Sequence, residues 1–143
     1  HSDPPSEEQK EELAQAVGEV LAGISDTIDF SSVDRLVGVA GTVTTVLAHA
    51  LDLPSYVPER ITGAAIPVPL AIAVCGELAS FSKKRLADLP YMHPGRVDIM
   101  TGGAMILKTI LETIQERTGG RVKELAASEN DILDGVAIDL MRR

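Results

Sequence analysis

The stretch VGVAGTVTTV, residues 37–46, decides the fold because its hydrophobic pattern changes partway through. Arg35 to Ala40 is a short apolar run, which predicts a buried strand that ends at Gly41. Thr42 to Leu51 then follows the spacing expected of a helix. The stretch therefore predicts a strand–turn–helix unit, the building block of α/β folds.

The same signals predict the other elements on either side of this unit. We expect helices over about 6–23, 69–80, 94–117 and 131–141, strands over 61–68 and 122–127, and a basic helix or turn over 82–90. Ser6 is placed to cap the first helix, and Ser128 or Asn130 to cap the last. The order α-β-α-β-α-α-β-α predicts an α/β layered fold that is rich in helix and has a small sheet. Residues 1–143 form a single domain in this interpretation, with 1–6 as a linker.

Composition and charge narrow the range of functions. The 143 residues are 45% hydrophobic and only 3% aromatic, so aliphatic side chains must build the core. The net charge is −8, and residues 1–30 carry eight acids against one base, which accounts for −7 of it. Nucleic-acid binding is disfavoured, because it needs a basic face and, for single strands, aromatic stacking platforms.

The lone Cys75 lies in an apolar run and predicts a buried, inert thiol. No apolar run reaches the ~20 residues of a membrane span, and no secretory signal is present. We therefore expect no membrane partner and a reducing, cytoplasmic setting. Because the chain begins with His1 rather than Met, we expect it to be the middle or end of a longer polypeptide.

The turn at Gly41-Thr42 is the first candidate site. A helix that starts directly after a strand leaves its first N–H groups unpaired, and with the helix dipole these N–H groups can hold an anion. Gly41 would let a phosphate approach the backbone, and the hydroxyls of Thr42, Thr44 and Thr45 would add donors. The alternative is a ligand-free helix capped by Thr42. The residues alone do not separate these two interpretations.

A second candidate is the stretch from His93 to Arg96, at the expected start of another helix. Arg96 can make forked hydrogen bonds to a phosphate, or it can pair with Asp98 or another carboxylate. His93 fits a loop-stabilising role better than a catalytic one. The bases at 83–85 are most simply a solvated surface, although a long polyanion could contact them.

Other chemistry is not visible in the sequence. The three histidines are scattered, there is one cysteine, and no metal-ligand pattern or nucleophile elbow is found. We assign no catalytic residue. Gly102-Gly103 inside a helix costs about 1 kcal/mol per glycine relative to alanine, which predicts that another backbone packs very close there.

Several ordered motifs together resemble one family. They are HSDPP, VGVAGTVTTVLAHAL, PERITG, LPYMHPGRVDIMTGGAMIL and ASENDILDGVA. The chain resembles the C-terminal half of the exopolyphosphatase/guanosine pentaphosphate phosphohydrolase family, in its actinobacterial form. The resemblance covers almost the whole chain, although DILDG replaces a GLREG common elsewhere in the family.

The resemblance implies a fold and an activity. The family has two ribonuclease-H-like domains of the actin-like ATPase superfamily, and this chain would be most of the second. By resemblance Gly41 and Thr42 form a cleft-facing turn, and Arg96, next to His93, approaches the phosphates. The implied reaction is hydrolysis of a terminal phosphoanhydride in polyphosphate or guanosine pentaphosphate. The catalytic carboxylates and the Mg²⁺ ligands would lie in the missing N-terminal part, so this chain alone should be inactive.

Two alternatives stay open. One is a non-catalytic interaction module, which would form a homodimer through its helices, and a homodimer is also our expectation for the phosphatase. The other is a kinase-like nucleotide-binding domain, although the turn lacks the glycine pair usual in such kinases.

Overall fold

The computed structural model describes residues 2–142. Its helices are α1 (Glu7–Ile24), α2 (Ala40–Ala50), α3 (Pro58–Ile61), α4 (Val68–Ala79), α5 (Lys83–Ala87), α6 (Met100–Arg117) and α7 (Ile132–Met141). Its strands are β1 (Leu36–Val39), β2 (Ala65–Pro67) and β3 (Glu124–Ser128), and short 3-10 turns span Phe30–Ser32 and Pro94–Arg96. The expected helix-rich α/β class with a small sheet is confirmed.

The three strands form one mixed sheet in the order β1-β3-β2. β1 runs parallel to β3, with Val39 opposite Ser128, and β2 runs antiparallel to β3. The carboxyl ends of two parallel neighbours meet at the same edge of a sheet. The turn that follows Val39 and the residues that follow Ser128 therefore lie side by side.

The core fills one face of this sheet. Helices α2, α4 and α6 contribute fully buried aliphatic side chains, and Leu125 of β3 points into the same layer. Val37 and Val39 alternate to the opposite face, where they are 55% and 46% exposed. Burial of the aliphatic layer is the main source of stability, since each fully buried large side chain contributes about 1.5–3 kcal/mol.

Helix α6 begins later than the sequence pattern indicates. We expected a helix from Pro94, but Pro94–Arg96 is a separate 3-10 turn and α6 starts at Met100. The amides of Arg96 and Val97 bond to carbonyls three residues back, and a true α-helical bond first appears from Gly103 to Ile99. The extra turn aims the Arg96 side chain at α2.

The helix caps agree with the sequence at one end of the chain and differ at the other. Ser6 and Gln9 form the capping box of α1, as the Ser6 prediction requires. The cap of α7 is Asp131, and not Ser128 or Asn130 as the sequence predicts. The Asp131 carboxylate accepts a hydrogen bond from the Leu133 N–H, and the Asp134 carboxylate accepts one from the Asp131 N–H. The Ser128 hydroxyl instead bonds to the backbone of Asn130 within the preceding turn.

Candidate anion-binding site at the start of helix α2

The turn between β1 and α2 has a strained backbone and open amides. Ala40 has φ of 68°, a left-handed conformation that costs a non-glycine residue about 1–2 kcal/mol. No side chain caps α2 at Val39, so the proposed Thr42 cap is wrong. Within residues 2–142, no acceptor outside the helix is found for the N–H groups of Gly41 or Thr42. The first turn of α2 therefore presents unpaired donors.

Gly41 makes room for the guanidinium of Arg96. A Cβ placed on Gly41 would lie 2.7 Å from Arg96 Cζ and closer still to Nε. Arg96 Nη1 donates to the Gly41 carbonyl and to Thr45 Oγ1, both at 3.3 Å. We expected the missing side chain to admit a phosphate. In the structure it admits the arginine that would bind one, so the two predicted motifs form one site.

Arg96 has no counter-ion in the part of the chain that the structure describes. The alternative partner Asp98 is taken by Lys83, with Nζ 2.6 Å from Oδ1. Arg96 itself bonds only to a carbonyl and a hydroxyl, which are neutral. A half-buried cation at the positive end of a helix dipole is electrostatically unfavourable without a nearby negative charge. This charge arrangement therefore favours the binding of an anion.

The threonines contribute less than the sequence indicates. Thr44 and Thr45 are 1% and 0% exposed, and their hydroxyls donate back to the Gly41 carbonyl. The carbonyl three or four residues back thus offers each buried hydroxyl a local acceptor. The Thr44 and Thr45 oxygens also contact Tyr56 and Arg96, so neither hydroxyl points freely toward the turn. Thr42 is the remaining hydroxyl at the turn.

Thr42 explains one of the paired glycines in α6. A Cβ on Gly103 would lie 2.5 Å from Thr42 Oγ1, whereas one on Gly102 would meet nothing within 4 Å. We expected a close backbone over both glycines. The structure shows a close side chain over Gly103 alone, and this contact fixes the distance between α2 and α6 beside the site.

His93 lies close to the site in sequence and stabilises its own loop. Its Nδ1 accepts a hydrogen bond from the Gly95 N–H at 3.1 Å, and the side chain is exposed. This bond closes the 3-10 turn that carries Arg96. In the structure His93 is therefore the capping group of the turn that carries Arg96, and its side chain is not among the residues that line the cavities described below.

A second contact holds this segment to the far end of α2. His49, in the last turn of α2, bonds through Nδ1 to the Tyr91 hydroxyl, and its Nε2 lies 3.3 Å from Glu77 Oε2. Burial, with the nearby charges of Asp52 and Glu77, raises the pKa of Tyr91 to about 12. The 91–96 segment is thus attached to α2 at both ends.

Two cavities open at the turn. The smaller, about 390 Å³, is lined by Val39, Ala40, Gly41, Thr42, Arg96, Ile99 and Met100. The larger, about 810 Å³, lies between α1 and α6 and shares Thr42 and Ile99 with the smaller one. The turn that carries the open amides therefore borders both cavities, and the larger one is lined by Lys10 and Lys83 together with Asp3, Glu12 and Asp98.

Of the basic residues at 83–85, Lys83 lines the larger cavity and pairs with Asp98, whereas the other two lie outside both cavities. Lys84 pairs with Asp88, and Arg85 stacks on Phe81 with its Cζ 3.6 Å from the ring centroid. Cys75 is buried, as predicted, and this burial raises the pKa of its thiol to about 12. Residues 2–142 contain no group of three or more His, Cys, Asp or Glu side chains arranged to hold a metal ion. They also contain no helix long and apolar enough to cross a membrane.

Sequence reasoning missed two residues at the site, Tyr56 and Glu129. Arg96 Cζ lies 5.5 Å from the centroid of the Tyr56 ring, and the Tyr56 hydroxyl lies 2.5 Å from Glu129 Oε1. Tyr56 stands in a loop and Glu129 directly after β3. The available signal was topological: Glu129 follows the strand parallel to β1, and so reaches the same edge of the sheet.

Residues 1–137 match the sequence model of the Ppx/GppA phosphatase family. The chain belongs to this family, as its motifs indicated. It is 35% identical over 140 residues to exopolyphosphatase 2 of Mycobacterium tuberculosis, covering 98% of this chain and 43% of that protein.

Solved structures give the same result for the fold. An exopolyphosphatase-like protein superposes with a TM-score of 0.94 at 30% identity, over 99% of this chain and 45% of the other. The Aquifex aeolicus Ppx/GppA enzyme gives 0.78 at 20% identity, over 96% and 43%. An exopolyphosphatase from Cytophaga hutchinsonii gives 0.77 at 16%, over 99% and 44%. The fold is thus that of the Ppx/GppA enzymes, and the chain spans less than half the length of the relatives it matches.

Proposed function

We propose that this chain is the phosphate-binding half of an enzyme that hydrolyses terminal phosphoanhydride bonds. The observation that carries the proposal is the uncompensated positive charge at the start of α2. Open amides of Gly41 and Thr42 and the guanidinium of Arg96 converge there with no carboxylate paired to the arginine among residues 2–142. A phosphate group supplies the missing negative charge and matches these donors.

Arg96 keeps donors available for a substrate. Nη1 is used by Gly41 and Thr45, while Nη2 and Nε form no hydrogen bond within the described chain. An arginine has five N–H donors in a fixed fork, which suits two oxygens of one phosphoryl group. Held this way, the guanidinium and the helix amides would neutralise the charge that develops on the transferred phosphoryl group.

The remaining parts of the reaction lie outside this chain in our proposal. A carboxylate that positions the attacking water, and the ligands of Mg²⁺, would belong to the N-terminal half, and no step proposed here passes through the metal. We also propose that the substrate is polyphosphate or guanosine pentaphosphate, because both are polyanions that contain phosphoanhydride bonds. We further propose that the enzyme acts in the cytoplasm. The isolated chain should bind these substrates and should not hydrolyse them. Phosphate release above a blank would contradict the proposal that the catalytic groups lie in the other half.

Calorimetric titration tests the proposal. Long-chain polyphosphate, guanosine pentaphosphate and ATP are each titrated into the chain and into Arg96→Ala. Lys84→Ala is the matched control, since it also removes one positive charge but from a surface pair with Asp88. We expect Arg96→Ala to weaken polyphosphate or pentaphosphate binding at least about tenfold, the ~1.4 kcal/mol scale of one charge-assisted hydrogen bond. Equal losses in both variants would reject the site, and selective ATP binding would favour the kinase-like alternative.

One observation favours a second candidate, an interaction module that dimerises. Every large apolar side chain of α7 is exposed: Ile132, Leu133, Val136, Ile138, Leu140 and Met141. An uncovered apolar face of this kind typically marks a contact surface. Sedimentation velocity of the chain, of Leu140→Asp and of Val20→Asp as an exposed apolar control on α1, tests for a homodimer. A dimer lost only in Leu140→Asp supports it, and a monomer at all concentrations rejects it.

A further inference from the structure

Tyr56 and Glu129 contact each other beside Arg96, although no predicted motif contains Tyr56 and no role is assigned to either. Tyr56 lies in the loop before α3 and is half-buried, and its ring faces the guanidinium with Arg96 Cζ 5.5 Å from the centroid. Its hydroxyl lies 2.5 Å from Glu129 Oε1 and 2.8 Å from Thr44 Oγ1. Three separated chain segments therefore meet at the Tyr56 hydroxyl, beside the arginine.

We propose that Tyr56 and Glu129 are positioning residues that hold the Arg96 guanidinium over the first turn of α2. The inference rests on the proposed function only in taking Arg96 as the phosphate ligand. On one side Arg96 is fixed by the Gly41 carbonyl and Thr45. On the other, the face of the Tyr56 ring attracts the cation. Glu129 acts through Tyr56.

The hydrogen-bond directions give Glu129 its role. The phenol has one proton, and a carboxylate is a stronger acceptor than a hydroxyl, so Tyr56 donates to Glu129. The Thr44 hydroxyl is then free to donate to the Tyr56 oxygen or to the Gly41 carbonyl. Donation to a carboxylate makes the ring more electron-rich and fixes its plane, and both effects favour a cation on the ring face.

The arrangement also explains why the carboxylate does not pair with Arg96 directly. Glu129 is bonded to the phenol and forms no ion pair with the arginine within the described residues. A direct ion pair would neutralise the charge that the phosphate needs. Because the Tyr56 ring mediates between Glu129 and Arg96, the guanidinium is oriented without being paired to a carboxylate. Its positive charge stays available at the cavity.

The experiment measures how rigidly the Arg96 side chain is held before any ligand is added. The Nε–H resonance of Arg96 is assigned with Arg96→Lys, and its ¹⁵N heteronuclear NOE is measured in the chain and in Tyr56→Phe, Tyr56→Leu and Glu129→Gln. Glu124→Gln is the matched control, because Glu124 is an exposed glutamate at the start of β3, the strand that Glu129 follows. We expect the NOE to fall in all three variants and to stay unchanged in the control. An unchanged NOE in Tyr56→Leu overturns the proposal.

Tripolyphosphate titration of the same variants gives the functional readout. Loss of the ring should weaken binding about two- to fivefold, the range of an accessible cation–π contact. Tyr56→Phe, which keeps the ring and loses the hydroxyl, should fall between the unaltered chain and Tyr56→Leu. Equal affinity in the unaltered chain and Tyr56→Leu contradicts the positioning role. If the unaltered chain binds no tripolyphosphate, the proposed function fails, and the NOE result still decides whether Tyr56 and Glu129 hold Arg96.

Discussion

Replacing Gly41 by alanine tests the contact that builds the site. Gly41 does not have positive φ, so alanine fits its backbone, and a helix gains up to about 1 kcal/mol from the change. The new Cβ would lie 2.7 Å from Arg96 Cζ, closer than nonbonded carbons approach, so the guanidinium must leave. Arg96 then loses its bonds to the Gly41 carbonyl and to Thr45.

The magnitude follows from those two bonds. Each contributes about 0.5–1.5 kcal/mol in a half-buried position, or roughly 1–3 kcal/mol together. Gly41→Ala alone should therefore change the free energy of unfolding by about 0–2 kcal/mol in the destabilising direction. In an Arg96→Ala background the same substitution has nothing to displace and should stabilise by up to about 1 kcal/mol.

Urea denaturation of the four proteins, followed by far-UV circular dichroism, closes the double-mutant cycle. We expect a coupling energy of about 1–3 kcal/mol between the two substitutions. The m-value should stay constant, which shows that the same amount of surface is exposed in each case. Additivity within about 0.5 kcal/mol would refute the packing of Arg96 on Gly41.

Three further predictions concern neighbouring residues. Gly103→Ala should destabilise the chain because its Cβ would clash with Thr42 Oγ1, and Thr42→Ala should relieve that clash, whereas Gly102→Ala should stabilise the chain by up to about 1 kcal/mol. Thermal melts that give the two glycine variants the same stability would refute this contact. Cys75, with its pKa raised to about 12, should resist a thiol reagent at pH 8 until urea unfolds the chain, and fast native labelling would contradict its burial. Because the folded chain raises the pKa values of Cys75 and Tyr91 to about 12, the unfolded state loses these protons at lower pH, so the urea midpoint should fall as pH rises from about 9 toward 12. Cys75→Ala should reduce the dependence of the midpoint on pH, and an unchanged dependence would be evidence against a contribution from the cysteine.

The local parts of the structure could be predicted because their causes are local. The change of hydrophobic period at 37–46 places β1 and α2 within two residues of their observed bounds. Ser6 caps α1 because a hydroxyl three residues before Gln9 satisfies the first amides wherever the helix packs. The mixed α/β class follows from the order of such elements.

The contacts that define the site are not local, and sequence patterns do not encode them. Arg96 and Gly41 are 55 residues apart, and Glu129 and Tyr56 are 73 apart. Arg96 occupies the space that a Gly41 Cβ would fill, and nothing in the sequence says which group lies there. Likewise, threonines at 44 and 45 suggest free hydroxyls only until the helix places them toward the core.

The most direct test of the central claim is amide NMR at the start of α2. Inorganic tripolyphosphate is titrated into the ¹⁵N-labelled chain at low ionic strength, with sodium chloride of equal ionic strength as control. The account predicts saturable downfield shifts that are largest for the Gly41 and Thr42 amides, and their loss in Arg96→Ala. Shifts confined to the lysines and arginine of 83–85, or none at Gly41 and Thr42, would contradict it.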